Sequence, residues 1–123
     1  MSKLIFIYNA KSGWRNALMD SAHKLISPST YNCRLCALTF HTFSEKSKWR
    51  KFRTSSGIPM EFLHKDEPMA QVNSIANLSL PAVIYKTQDS AEIIINTKQL
   101  NGMNSLDELI TTINLWLQTN LNT

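Results

Sequence analysis

The sequence predicts an α/β fold, with a small mixed β-sheet of about four strands and flanking helices in a three-layer sandwich. Residues 3–10 form a compact apolar run rich in strand formers, which is typical of a buried strand. Strand–helix–strand units follow along residues 3–86, and such units favour parallel pairing through right-handed crossovers. Residues 82–96 then read as a hairpin, which adds antiparallel strands before a final amphipathic helix.

In the first half of the chain, the opening strand is followed by a loop and a predicted helix. This helix covers residues 17–26, and Asn16 is a suitable N-cap for it. Pro28 ends the helix, because the residue before a proline is pushed out of the helical region. Residues 28–43 have no clean period, so they are predicted to form an ordered loop with a short strand or turn at 35–40.

The second half alternates helices and strands more regularly. A helix is predicted at residues 45–53 and a strand at 59–65. Residues 69–77 follow as a helix, since acids and a proline stand at its start. The hairpin strands are predicted at residues 82–86 and 91–96, joined by a polar turn.

The last helix has the strongest pattern in the sequence. Ser105 and Glu108 have the spacing of a capping box at its start. One face carries a continuous apolar stripe, formed by Leu106, Leu109, Ile110, Ile113, Trp116 and Leu117.

Length and composition predict one soluble domain. The chain has 123 residues, of which 43% are hydrophobic and 18% are charged. No apolar run approaches the roughly 20 residues that span a bilayer, and the N-terminal apolar run is too short for a signal peptide. We therefore expect a cytoplasmic protein without membrane contact, and in that compartment a disulfide is transient or catalytic rather than structural.

The order of features in the C-terminal half resembles the thioredoxin-like superfamily. The likeness covers residues 3–7 and about 60–117: a strand, an acidic turn at Asp66, a helix, a strand opened by Pro81, a hairpin, a turn with Gly102 and an amphipathic helix. This resemblance implies that the bond before Pro81 is cis. It also implies that Pro81 lies beside the active site and shapes a substrate groove.

The N-terminal half departs from the superfamily pattern. Thioredoxins carry Cys-x-x-Cys directly after the first strand, at the start of the first helix, and here that place is residues 9–14, which contain no cysteine. The only two cysteines, Cys33 and Cys36, come later, in a predicted insertion at about residues 28–56. The resemblance therefore implies a single thioredoxin-like domain over residues 1–123 with a displaced cysteine pair.

One interpretation of the pair is thiol redox chemistry. Cys33 is then the attacking thiolate and Cys36 the resolving thiol, and Arg34 or Lys24 nearby can favour the thiolate form. The insertion would carry both sulfurs to a reachable surface pocket near Pro81. This interpretation needs a protein or small-thiol redox partner and no cofactor. Residues 27–39 also resemble small bacterial proteins, a likeness that implies no activity.

An alternative interpretation is a metal-binding or protein-interaction module without catalysis. His23, Cys33, Cys36 and His41 together offer two thiolates and two imidazoles, which suits tetrahedral zinc. Their spacing matches no standard zinc finger, and a second Cys-x-x-Cys is absent from the sequence.

A third interpretation is purely structural. Free cysteine packs as a small apolar residue, so Cys33 and Cys36 can simply fill the interior with their neighbours Leu35, Ala37 and Phe40. The sequence leaves these three interpretations open.

A basic segment, residues 46–53, raises the question of nucleic acid. Trp49 and Phe52 lie among its lysines and arginines, a combination that can grip phosphates and stack on bases. The rest of the chain offers no matching basic face, which argues against nucleic acid as a partner. The more frequent arrangement buries both aromatic rings and leaves the charges in solvent.

Overall fold

The computed structural model describes residues 2–12, 33–40 and 44–121, and it confirms the predicted α/β fold with a four-strand mixed sheet. The strands are β1 (Lys3–Tyr8), β2 (Met60–His64), β3 (Ala82–Lys86) and β4 (Ala91–Ile95). The helices in the described ranges are α1 (Arg34–Thr39), α2 (Ser47–Ser55), α3 (Thr97–Asn101) and α4 (Leu106–Asn120).

The sheet has the strand order β2-β1-β3-β4. Strand β1 pairs parallel with β2, from Leu4 opposite Met60 to Tyr8 opposite His64. Strand β3 pairs antiparallel with both β1 and β4, which confirms the predicted hairpin. Strands β1 and β2 therefore end at the edge where β3 begins, and we call this the carboxyl edge of the sheet.

One face of the sheet, which we call the cysteine face, carries the larger core. All four described helices contribute buried side chains to this core, one from each being Leu35, Trp49, Leu100 and Leu109. The full buried cluster is Leu4, Phe6, Tyr8, Ala10, Cys33, Leu35, Cys36, Leu38, Trp49, Val83, Ile95, Leu100, Met103, Leu106, Leu109 and Ile113.

The opposite face has a smaller core and an irregular cover. Its buried cluster is Ile5, Ile7, Leu63, Val72 and Ile84. The helix predicted at residues 69–77 is wrong, because only one 3-10 turn forms, at Ala70–Val72. Asn77 adopts a left-handed φ of 54°, which cannot continue a right-handed helix, and several neighbours are weak helix formers.

The loop predicted at residues 28–43 is also wrong where the structure describes it, because residues 34–39 form helix α1. Its four buried side chains fall at helical spacing, a signal that the short segment partly hides: Leu35, Cys36, Leu38 and Thr39. The predicted helix at residues 17–26 lies outside the described residues.

The remaining helices differ from prediction mainly at their ends. Helix α2 is shifted two residues along from the predicted range. Helix α3 was missed, although Asn96 and Gln99 form a complete capping box at its start. Helix α4 is confirmed, and Ser105 Oγ accepts a hydrogen bond from the backbone N–H of Glu108 at its N-terminus.

Candidate functional site

Cys33 and Cys36 form a disulfide at the start of helix α1, with their Cα atoms 5.2 Å apart. Cys33 is the N-cap of the helix. Its Sγ accepts a hydrogen bond from the backbone N–H of Cys36 at 3.2 Å, and its carbonyl accepts one from Ala37 at 3.2 Å. One helical turn therefore brings the two sulfurs together and points a backbone donor at the first of them.

The disulfide is buried, which differs from the surface pocket that the sequence led us to expect. Cys33 is 0% exposed and Cys36 is 2% exposed. Both belong to the core of the cysteine face, together with Tyr8 and Ala10 from the carboxyl edge of β1. The reason is the helix itself, since its period turns Cys36 inward beside Leu35.

Pro81 lies at the same edge of the sheet, directly before β3. It is buried, and the Leu80–Pro81 peptide bond is cis, as the resemblance implied. The carbonyl of Pro81 accepts a hydrogen bond of 2.9 Å from the hydroxyl of Thr97, the first residue of α3. Helix α3 in turn contacts α1, so a short chain of contacts joins the proline to the helix that carries the disulfide.

A shallow cleft of about 510 Å³ is lined by Thr97, whose hydroxyl donates to the Pro81 carbonyl, but not by Pro81 itself. Thr97 and Ser79 are in its wall, and the full lining is Asn77, Ser79, Ile93, Asn96, Thr97, Lys98 and Asn101. Neither cysteine lines the cleft. A groove lined by Pro81 therefore stays a prediction, and both sulfurs are covered by other side chains.

The zinc ligand set cannot be assembled from the described residues. His23 and His41 lie outside them, and within the described ranges no group of three His, Cys, Asp or Glu side chains could hold a metal ion. Cysteines joined in a disulfide offer no thiolate to a metal. The predicted zinc site therefore stays a prediction for the reduced protein.

The charged turn after β2 has a structural explanation. His64 Nδ1 lies 2.6 Å from Glu67 Oε1, which also accepts the backbone N–H of His64. Asp66 accepts the N–H and the hydroxyl of Ser12, both at 2.8 Å, and these bonds hold the pKa of Asp66 below its ordinary value. Asp66 therefore ties the loop after β1 to the loop after β2, while Glu67 holds His64 at the end of β2.

The basic segment packs its aromatic rings against the core, which is the more frequent arrangement for such a segment. Trp49 is 0% exposed and packs edge-on against Phe6, with ring centroids 5.4 Å apart. Phe52 packs against Trp49 at 5.7 Å and is half-buried. These rings are part of the core, so they offer no open platform on which bases could stack.

Comparisons with known protein families, with curated proteins and with solved structures gave no match to this chain. In the part of the chain that the structure describes, no helix is long and apolar enough to cross a membrane. The structure therefore defines a small α/β protein with a mixed sheet of four strands and a Cys-x-x-Cys pair at disulfide distance beside a helix.

Proposed function

We propose that the protein is a thioredoxin-like thiol–disulfide exchange protein that works through Cys33 and Cys36. The observation that carries this proposal is the disulfide between them at the start of α1. A Cys-x-x-Cys pair that closes within one helical turn can alternate between dithiol and disulfide with little movement of the backbone.

The exchange transfers two electrons in two steps. In the reduced protein, the Cys33 thiolate attacks one sulfur of a partner disulfide, forms a mixed disulfide and releases the partner's other sulfur as a thiolate. The Cys36 thiolate then attacks the Cys33 sulfur, which closes the protein disulfide and releases the second partner thiolate. The partner gains two electrons, and its thiolates take up two protons from solvent or from the protein thiols.

The local geometry supports Cys33 as the attacking residue. Its Sγ accepts the N–H of Cys36, and a donor held at that position stabilises negative charge on the sulfur. No corresponding donor to the Cys36 sulfur is among the hydrogen bonds of the described residues. We therefore assign the attack to Cys33 and the resolving step to Cys36.

The role of Pro81 rests on its position on the sheet. Side chains alternate along β3, where Val83 joins the core of the cysteine face and Ile84 that of the opposite face. Pro81 lies two residues before Val83, so the same alternation, continued past the start of β3, favours a position for Pro81 on the side of the disulfide. We assign it the wall of the groove along which a partner polypeptide lies.

Burial of the sulfurs makes exchange depend on local opening. An attacking sulfur must approach along the S–S axis, and both cysteines are almost fully covered. Helix α1 is only six residues long, so its first turn can open without unfolding the sheet. The protein is therefore expected to exchange slowly with small thiols and faster with a partner that favours the open form.

A redox titration of the folded protein tests the proposal. The full chain is equilibrated in dithiothreitol buffers of graded potential, and its thiols are trapped with a maleimide that adds mass. We expect one two-electron transition without loss of the folded circular dichroism spectrum. Cys36→Ser should accumulate a mixed disulfide at Cys33, whereas the matched variant Cys33→Ser should not. A disulfide that is reduced only after unfolding would make the pair a structural crosslink.

Metal analysis distinguishes the redox proposal from the alternative, a zinc-binding module. The reduced protein is incubated with zinc, desalted and analysed by mass spectrometry under native conditions. Stoichiometric zinc that is lost in Cys33→Ser, and in variants of His23 or His41, would replace the redox proposal with the metal-binding module.

A further inference from the structure

The segment that carries the disulfide is strongly basic. Residues 33–60 contain six lysines and arginines against one acid, Glu45, which is a net +5, while the whole chain has a formal net charge of +4. The rest of the sequence therefore has a formal charge of −1. The positive charge of this protein is concentrated in the stretch of sequence that carries its candidate redox site.

Two of these cations are neutralised inside the described structure. Arg53 pairs with both carboxylate oxygens of Glu45, at 2.6 and 2.8 Å, and these hydrogen bonds raise the pKa of Arg53 above its ordinary value. Lys48 pairs with Asp107 at the start of α4. Each of these pairs consumes a carboxylate that could otherwise offset the remaining charge.

Four cations of the segment have no ion-pair partner among the described residues: Arg34, Lys46, Arg50 and Lys51. Arg34 stands between the two cysteines and is exposed, as are Arg50 and Lys51 on α2, while Lys46 is half-exposed. We call these four residues the basic surface.

The four residues share one layer of the fold. Helices α1 and α2 both send their buried side chains into the core of the cysteine face, so their exposed sides point away from the same face of the sheet. The two helices are also joined directly, since the N–H of Lys46 donates to the carbonyl of Thr39 at 2.9 Å. Glu108 is the remaining exposed acid in the first turn of α4, which packs on the same face of the sheet.

We infer that the basic surface docks an acidic polypeptide, which is the exchange partner of the Cys33–Cys36 pair. The inference rests on the proposed function and adds the chemical class of the substrate: a cysteine whose flanking residues are Asp or Glu. Complementary charge raises encounter rates and orients a partner, and here it would hold the partner's sulfur beside α1.

Nucleic acid fits this surface less well than an acidic protein. Trp49 and Phe52, the aromatic residues of α2, face the core and cannot stack on bases. Nucleic-acid-binding proteins can make about 6–10 phosphate contacts. The four unpaired cations of the basic surface would supply fewer.

Charged peptide substrates test the inference. Three pentapeptides carry a central cysteine flanked by glutamates, glutamines or lysines, and each is activated as a pyridyl disulfide with a neutral leaving group. The reduced full-length protein attacks the peptide sulfur, forms the mixed disulfide and releases thiopyridone, whose absorbance gives the rate. At low ionic strength we expect the glutamate peptide to react about tenfold faster than the glutamine peptide and the lysine peptide to be slowest. In concentrated salt the difference should shrink to about twofold.

Two double variants of equal net charge test whether the preference for the glutamate peptide comes from the basic surface. Arg50→Gln with Lys51→Gln removes two positive charges from the basic surface. Asn73→Glu with Ser74→Glu adds two negative charges to an exposed turn on the opposite face of the sheet. We expect the first double variant to lose most of the preference for the glutamate peptide and the second to keep it, with both folded by circular dichroism.

The failures can be told apart. If the folded, reduced protein releases thiopyridone from none of the peptides, the proposed function is wrong and the inference falls with it. If all three peptides react equally, or if the two double variants lose the preference equally, the inference alone is wrong. Binding of a fluorescent single-stranded oligonucleotide at physiological salt that disappears in the Arg50/Lys51 variant would reassign the surface to nucleic acid and overturn the acidic partner.

Discussion

The two faces of the sheet are built very differently. Among the described residues, the cysteine face has four helices that contribute to a cluster of sixteen buried residues, which includes the disulfide. The opposite face has five buried residues under an irregular segment with a single 3-10 turn. The candidate chemistry is therefore embedded in the better packed half of the core, where any rearrangement of the sulfurs also disturbs packing.

The contrast indicates how reactivity and stability are linked in this fold. A surface disulfide can open and close without consequence for the core, whereas Cys33 and Cys36 pack beside Tyr8 and Leu35. Opening α1 must expose apolar side chains to water, which costs about 25 cal/mol for each Å² of apolar area. In the proposed exchange, a partner that covers this area would offset the cost, and the core would then discriminate between partners.

Truncating the centre of each core is the strongest way to test this contrast. Trp49→Ala removes a fully buried ring that packs against Phe6 and Phe62, and we expect a loss of about 3–5 kcal/mol in the free energy of unfolding. Val72→Ala on the opposite face should cost about 1–2 kcal/mol. Urea unfolding measures both. Equal losses would show that the two faces contribute alike.

A milder replacement controls for the shape of the tryptophan site. Trp49 Nε1 is buried and has no hydrogen-bond partner among the described residues. Trp49→Phe keeps an aromatic ring and removes this unpaired donor, so it should cost much less than Trp49→Ala.

Reduction of the disulfide should have the next largest effect on stability. Cys33 and Cys36 are three positions apart, and closing so small a loop is worth about 2 kcal/mol in the chain-entropy treatment. We expect urea unfolding with and without dithiothreitol to differ by about that amount. The difference should vanish in the double variant Cys33→Ala, Cys36→Ala. A reduced protein as stable as the oxidised one would contradict the coupling of the disulfide to the core.

The sequence predicted the sheet better than the cover of either face. Strands β1 to β4 have apolar runs or alternation that belong to a pleated sheet in any context, and the hairpin has a clear polar turn. The segment 69–77 has apolar residues at helical spacing, but Asn73, Ser74 and Asn77 are weak helix formers. The segment therefore forms only one 3-10 turn, and Asn77 has a left-handed φ.

The cysteine segment shows where prediction from sequence reached its limit. Helix α1 is six residues long, which is too short for a periodic pattern to be distinguished from chance, and its N-cap is a cysteine rather than Ser, Thr, Asp or Asn. The pairing of Cys33 with Cys36 could be predicted from the sequence, since their spacing allows a disulfide. The burial of the two cysteines could not be predicted, because it depends on which strands and helices pack against the segment.

The contact between Pro81 and α3 can be tested with a pair of conservative variants. Thr97→Val removes the hydroxyl that donates to the Pro81 carbonyl and keeps the volume, whereas Thr97→Ser keeps the donor. We expect Thr97→Val to cost about 1 kcal/mol and Thr97→Ser less. Thr97→Val should also slow exchange with the glutamine peptide more than reduction by dithiothreitol. Equal slowing of both reactions would contradict a role of this edge in holding polypeptide.

The smallest expected effect is electrostatic and belongs to the opposite face. A hydrogen bond from Lys3, with a second from Gln71, lowers the pKa of Glu61 below its ordinary value. Because the folded-state pKa is the lower one, this stabilisation is complete above the unfolded-state value and is lost as the pH falls through the folded-state value.

Glu61→Gln should therefore destabilise the protein by less than about 1 kcal/mol near neutral pH, since its side chain is 35% exposed. The difference from the native protein should shrink as the pH falls through the lowered folded-state pKa of Glu61, because the carboxylate is then protonated. Glu92→Gln, at an exposed position of β4 without an ion pair in the described structure, is the matched control and should leave the free energy of unfolding at neutral pH unchanged. A pH-independent effect of Glu61→Gln would assign the role of Glu61 to packing. The charge of its carboxylate would then contribute nothing to the stability of the opposite face.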